Sequence, residues 1–297
     1  MARFSIRDIE KFTGVKAHTL RIWEQRYNIL TPKRTDTNIR YYDDADLKQL
    51  LGISILLNNG YRISKAACMC RTEVDGIVRE ITEKNSSSTN QIMALVSAML
   101  ELDEQAFNKL LDTQILQLGF ENTVIKVLFP FLKHLGMLWM TGTVHPAHEH
   151  FVSNLIKQKI YVATEGQIPK YGSDSPKFLL YLPEGESHEI GLLFANYVLR
   201  NRGHQTIYLG QNTPEEDIVQ VFELYNPDVV FLTVTACTTI DEMPSFIEHT
   251  ASLWKGKHIY IAGKMCDGLK ASLPAGMNWV KDLEDLMTQL GDLRKPS

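Results

Sequence analysis

The chain has no apolar run approaching the ~18 residues that cross a bilayer, and its opening, MARFSIRDIEKF, lacks the hydrophobic core of a secretory signal. Those absences set the expectation of a cytoplasmic protein without a membrane partner. Cysteine is scarce: Cys68, Cys70, Cys237 and Cys266 lie scattered, with no CxxC pair and no histidine cluster beside them. Neither a disulfide framework nor a zinc site is indicated, so reduced, mostly packed thiols are expected. Internal repeats and long low-complexity tracts are also lacking.

What is present is 297 residues, 44% hydrophobic and 22% charged. That is the composition of a globular protein of two or three domains of roughly 100–150 residues each. The net charge of −4 conceals an asymmetry. Of the 31 basic and 35 acidic residues, 13 and 7 fall within residues 1–72, a balance of +6, leaving 18 and 28, or −10, for the rest. A basic head on an acidic body suggests that the head alone meets a polyanion, although many small domains carry such an excess by chance.

Two polar stretches, EKNSSSTNQ (Glu83 to Gln91) and IPKYGSDSPK (Ile168 to Lys177), divide the chain into expected domains at 1–75, 88–168 and 176–297. In the first, Ile6, Ile9 and Phe12 have helical spacing and stop at Gly14, and KAHTLRIWEQRY follows with Leu20, Trp23 and Tyr27 on one face. This is a helix-turn-helix pattern, continued by a basic hairpin, KRTDTNIRYYDD, and by two more helices separated by NNG. The second segment carries long helical patterns and no strand alternation, which predicts a helical bundle, of four helices in the architecture expected here. The third alternates apolar strands with helices, which predicts a doubly wound parallel sheet, and the flavodoxin-like order 2-1-3-4-5 is the one expected here.

One turn of the third segment stands out. LLYLPEGESHEIGLLFANYVLRNRG (Leu179 to Gly203) passes from an apolar strand into an amphipathic helix through Glu186, His188 and Gly191. A turn histidine is ordinary on a surface. In the predicted strand order, however, this one lies at the topological switch point, where open α/β sheets bind ligands.

The span TLRIWEQRYNILTPKRT followed by IRYYDDADLKQLLGISILLNNGYRI resembles the winged helix-turn-helix DNA-binding domain of the MerR family of transcription regulators, from Phe4 to about Arg71. The resemblance implies that the second helix enters the major groove and that the hairpin is a wing on the phosphate backbone. Lys16, His18, Thr19 and Arg21 then stand where side chains reach base edges or phosphates. Arg26, Lys33, Arg34 and Arg40 supply positive charge, and Arg40 and Tyr41 lie in the wing strand. Trp23 and Tyr42 have an alternative as core of a small domain, and for Trp23 core and phosphate contact remain equally open.

In the second segment Trp139 is followed after MTGTVHPAH by Glu149 and His150. This spacing resembles the helical cap that precedes cobalamin-binding domains. A bare bundle reading makes Trp139 a core aromatic and His145, His148 and His150 a chance cluster; metal binding by the three is a minor alternative. ESHEIG in the turn resembles the DxHxxG motif of cobalamin-binding domains of Rossmann type. That resemblance implies that His188 is the lower cobalt ligand, that Glu186 orients it and that Gly191 gives the cofactor tail clearance. The motifs depart from the common pattern in three places: Glu186 replaces Asp, Thr233-Val234-Thr235 replaces SxL, and Ala262-Gly263 replaces Gly-Gly.

A MerR-type reader, a helical cap and a cobalamin-type Rossmann domain, in that order, resemble the CarH/LitR/CarA group of photoreceptor repressors from end to end. The resemblance implies repression, typically of carotenoid synthesis genes, and binding of double-stranded operator DNA. It also implies self-association into a dimer or tetramer, with adenosylcobalamin under the cap as the light-sensitive cofactor. Light-sensing members have a histidine directly after the cap tryptophan, where this chain has Met140. Two other functions stay open: a cofactor-independent repressor whose C-terminal half serves dimerisation or protein binding, and a corrinoid methyltransferase or carrier. The last fits least, because no substrate-activating domain or zinc-thiolate cluster is present.

Overall fold

The computed structural model describes residues 3–35, 38–84, 88–140, 144–168, 175–266 and 273–290. They group into two units, Met1–Leu155 and Ile156–Ser297. Among the described residues no helix is long and apolar enough to cross a membrane.

The first unit opens with α1 (Ile6–Thr13), started by a capping box in which the Ser5 and Asp8 side chains each accept the other's backbone N–H. Gly14, at φ 72°, ends it in the left-handed region that glycine tolerates best, and the chain turns at once into α2 (Ala17–Tyr27). A two-residue hairpin follows, β1 (Lys33–Arg34) antiparallel to β2 (Arg40–Tyr41), with Lys33 opposite Tyr41. Phe4 and Tyr42 exchange backbone hydrogen bonds of 2.8 and 2.9 Å, which fastens the hairpin to the start of α1. Tyr42 is fully buried with Phe4, Ile9, Phe12 and Leu20, so the core alternative holds for this residue. Trp23 is only half-buried.

Helix α3 (Asp44–Asn58) buries Leu47, Leu50, Leu51, Ile53, Ile55 and Leu56, more than one stripe, because it packs against several neighbours at once. The second helix expected after NNG is interrupted. One turn, α4 (Ile63–Ala66), precedes α5 (Arg71–Lys84), and the break at Cys70 is stabilised by its backbone N–H donating to Glu73 Oε2 at 2.8 Å. Of the polar stretch from Glu83 to Gln91, residues 85–87 lie outside the described residues, and Asn90 and Gln91 are buried in α6 (Ser88–Leu100).

Beyond α6 come α7 (Glu104–Leu118) and α8 (Phe120–Thr123), which runs through one π-helical stretch (Val124–Leu128) into α9 (Phe129–Met140). Phe107 of α7 meets Phe131 of α9 edge to face at 5.8 Å. Counting α8 to α9 as one rod, α10 (Pro146–Glu165) is the fourth helix after the polar stretch.

The second unit holds β3 (Lys177–Tyr181), α11 (Ile190–Asn201), β4 (Gln205–Tyr208), α12 (Glu215–Tyr225), β5 (Val229–Thr233), α13 (Met243–Leu253), β6 (His258–Ala262), β7 (Met277–Val280) and α14 (Leu283–Leu290). The sheet is parallel throughout, in the order β4-β3-β5-β6-β7. Numbered from its first strand this is 2-1-3-4-5, the predicted doubly wound arrangement. Every residue of β5 is buried, as a central strand covered on both faces requires.

Trp254 anchors the core: it is buried, and its indole N–H donates to the buried Tyr181 hydroxyl at 3.0 Å. Tyr181→Phe would strand that donor, and a buried unpaired N–H costs about 1–3 kcal/mol. The variant is expected to unfold at lower denaturant with an unchanged slope in urea titration; an unshifted midpoint would show that the bond contributes nothing net.

Candidate functional site

Two groups of residues carry chemistry, one in each unit. In the first, α2 and the hairpin gather all nine residues expected at a nucleic-acid surface. Lys16 is the N-cap of α2, and His18, Thr19, Arg21 and Arg26 follow along it, with Thr19 Oγ1 3.3 Å from His18 Nε2. Lys33, Arg34, Arg40 and Tyr41 lie on the two hairpin strands. Arg7, Arg21 and Arg40 line one cleft between the start of α1, α2 and the hairpin.

Most of these cations already have partners. Lys16 donates to Glu10 Oε1 at 2.9 Å, and Glu10 also accepts the Ala17 N–H at 2.9 Å. Those two bonds, the lysine's first, hold the Glu10 carboxyl below its ordinary value. Lys33 bonds Asp43, the N-cap of α3, and Arg40 Nε lies 3.9 Å from Glu24 Oε2. Glu24 also accepts the Tyr42 hydroxyl, so one carboxylate of α2 braces both the wing and the core. Arg34 Nη1 donates to the Asn38 side chain at 2.8 Å across the hairpin, while Arg3 stacks over Tyr41 at 5.0 Å and Arg26 over Tyr27 at 5.5 Å. Arg21 has no ion pair among the described residues.

Sequence reasoning placed the cations but missed the bracing carboxylates Glu10, Glu24 and Asp43. Only Asp43 had a local signal, the capping box that it forms with Asp46.

In the second unit the turn after β3 is held from both sides. Towards β4, Asn212 Oδ1 accepts the Gly185 N–H at 2.7 Å, and the Asn212 N–H donates to the Glu186 carbonyl at 3.0 Å. Towards β5, the Glu186 side chain, 0% exposed, reaches across the switch point. Its Oε2 accepts the successive N–H groups of Thr235 (2.6 Å), Ala236 (2.7 Å) and Cys237 (3.3 Å), a backbone nest for an anion. Its Oε1 accepts the N–H groups of Ser187 and His188, both at 3.0 Å, and the His188 ring at 2.6 Å through Nδ1. Burial alone would raise this carboxyl, but the His188 ring and the N–H groups outweigh it and hold it far below the usual carboxylate range.

A neutral ring that donates from Nδ1 has its lone pair on Nε2, the tautomer suited to a metal ligand. The His188 side chain is 56% exposed while its anchor is fully buried. Cys237, beside Glu186, has its thiol pushed up to about 11 by burial and by that carboxylate, which makes it a poor nucleophile.

The other residues expected to hold a cofactor are distributed as follows. A Cβ added at Gly191 would meet nothing within 4 Å, so the fold itself does not demand glycine there. Thr233 Oγ1, at the end of β5, is buried without a partner among the described residues. These two features and the oriented imidazole fit a cobalamin with an imidazole-ligated cobalt and a buried tail. Gly263 has a simpler cause: at φ 109°, its Cβ would stand 2.2 Å from the Val234 carbonyl oxygen. Glycine at that position serves the backbone crossing itself.

Trp139 and Met140 end α9, and their side chains lie outside the described residues. Glu149 accepts Ser153 Oγ at 2.6 Å and lies 3.2 Å from His150 Nδ1. His145 accepts the Ala147 N–H at 3.2 Å, and its ring meets that of His148 edge to face at 6.5 Å. Among the described residues no three His, Cys, Asp or Glu side chains converge on a metal site, so the three-histidine alternative fails.

Residues 4–73 match the profile of the MerR HTH family regulatory proteins, and residues 92–164 and 176–272 match two profiles described as B12 binding domain. The HTH-type transcriptional repressor CarH of Myxococcus xanthus is 28% identical over 88% of both chains. The HTH-type transcriptional repressor CarA of the same organism is 26% identical over 97% of this chain and 96% of its own. A monomethylamine corrinoid protein of Methanosarcina barkeri superposes with a TM-score of 0.50 at 14% identity, covering 70% of this chain and all of that one, a likeness of fold.

The Glu186 geometry fixes a pH dependence. Its folded value is depressed, so its stabilising contribution is complete above the unfolded value, about 4.3, and is lost as pH falls below it. Glu186→Gln is expected to lower stability at neutral pH by roughly 1–3 kcal/mol and to flatten the acid loss. Urea midpoints of both proteins at neutral pH and at about pH 3, well inside the window between the unfolded and the folded value, check this; parallel losses in the two would mean that another group controls the acid limb.

Proposed function

We propose that this chain, a homologue of the CarH and CarA repressors built from a MerR-type reader and B12-binding modules, is a DNA-binding repressor regulated by cobalamin. The observation that carries the cofactor half is the Glu186–His188 pair, in which a buried carboxylate fixes the tautomer of an exposed imidazole at the switch point. The working division is a reader at 1–75, a cap at 88–168 and a cofactor module at 176–297. The relatives are transcriptional regulators rather than enzymes, and we assign this chain no catalytic residue.

In this reading the cofactor is adenosylcobalamin, which when bound supplies a cobalt–carbon bond that visible light cleaves. His188 Nε2 would hold the cobalt, with Glu186 and the 235–237 nest keeping that imidazole in place, and Thr233, Thr235 and Gly191 would hold the rest of the cofactor. Gly263 shapes the same end of the sheet. Trp139, Glu149 and His150 are the residues of the first unit that we assign to the cofactor, by their resemblance to the cap signature. Cofactor occupancy governs self-association into a dimer or tetramer, and the symmetric assembly presents paired readers to a two-fold operator in the cytoplasm. Met140 stands where light-sensing regulators have a histidine after the cap tryptophan, and either its thioether or His145 or His148 would have to take that role, so the light response is tested separately from binding.

The deciding experiment is to mix the protein with adenosylcobalamin in the dark, remove free cofactor by gel filtration, and record visible spectra before and after green light. A retained spectrum that shifts on illumination is expected. A colourless eluate from a protein that still binds DNA would leave a repressor that works without the cofactor, and a retained but unshifted spectrum would remove light from the scheme.

His188→Ala is expected to abolish cofactor-dependent oligomerisation while leaving the DNA affinity of the apo form, as sedimentation with and without adenosylcobalamin would show. On the reader, Arg21→Ala should weaken operator binding more than Lys33→Ala. Lys33 must first give up Asp43 to meet a phosphate, whereas Arg21 has no such pair to break. Titrations at two salt concentrations would reverse this order if the hairpin rather than α2 dominates binding.

A further inference from the structure

An isoleucine stands in the middle of the face that α2 turns to solvent. Leu20 is the buried anchor of that helix. At 3.6 residues per turn Ile22 lies about 200° around the axis from Leu20, and it is 50% exposed. His18 and Arg26, four residues before and after it, share its stripe, with Arg21 and Gln25 beside them, and all four are exposed. Each of these neighbours can donate to a phosphate or a base edge. Ile22 cannot.

A single exposed isoleucine needs no explanation elsewhere on a surface. Here it sits at the centre of the face assigned to DNA, ringed by groups whose partners are polar. Contact with phosphate would desolvate it against charge, with nothing gained. The major groove offers one apolar feature among its base edges, the C5 methyl group of thymine. Resting on the reader assignment above, we propose that Ile22 is a specificity-determining residue that packs on a thymine methyl and so sets a T·A preference at an operator position. The neighbouring Gln25 carries the amide that matches the donor and acceptor edge of adenine, so the two side chains together suit a T/A-containing step. The cations around them hold the helix in the groove without choosing a sequence.

The test deletes the methyl group alone. The full-length chain is used to enrich a duplex from a randomised pool, and each thymine of that duplex is then replaced in turn by deoxyuridine. Burial of one methyl group predicts that at least one replacement weakens binding about fourfold. With Ile22→Ala that same replacement should change nothing, because the methyl has lost its contact; Ile22→Val should retain part of the effect. Thermal unfolding of Ile22→Ala should match that of the parent, since the side chain is not part of the core.

Enrichment of a duplex in which no thymine is methyl-sensitive would overturn the inference and leave the reader assignment standing. A methyl effect that persists undiminished in Ile22→Ala would also overturn it. Failure to enrich any duplex with a folded protein would remove the reader assignment, and this inference with it.

Discussion

The end of the sheet where a ligand is expected depends on one buried carboxylate. Glu186 receives N–H groups from its own turn and from residues 235–237, and it also holds the His188 ring. A charge taken out of water is tolerated only when its lone pairs are filled, and here they are filled entirely by fixed backbone donors and one imidazole. The two loops flanking the switch point are therefore tied by a bond that neither could make alone.

Carboxylates organise the other unit in the same way, with a different result. Glu10, Glu24 and Asp43 lie against Lys16, Arg40 and Lys33 on α2 and the hairpin. Such exposed pairs add little stability. Their effect is to orient long side chains, and each cation would have to give up its carboxylate before it could meet an external anion, a cost that Arg21 does not carry. The positive balance of +6 over residues 1–72 thus overstates the charge that is ready for phosphates.

Much of this was legible in the sequence where the signal is local. Ser5 with Asp8 and Asp43 with Asp46 are capping boxes spaced three residues apart, and Gly14 stops α1 where its spacing predicts. The continuous apolar strands and their alternation with helices announced a parallel, doubly wound sheet, while its strand order is a property of the folded chain. The helix expected after NNG and ending at Arg71 forms only one turn, and the start of α5 there was not read because it depends on a cap bond from Cys70 to Glu73, beyond that pattern. Asn90 and Gln91 read as part of a polar connector, yet they are buried. A helix that packs on several sides buries polar residues that composition alone assigns to solvent.

The amino-acid sequence by itself determined the element types, the reader and the turn that holds His188, because each is encoded in periodicity, caps or a motif spanning a few neighbouring residues. Tertiary structure decided which groups meet. Glu186 finds its nest about fifty residues downstream, Tyr42 finds Glu24 across the core, and Gly263 proves necessary only because Val234 crosses it. These contacts depend on how strands and helices are laid side by side, and their energies come from burial, which no residue possesses until the chain has folded around it.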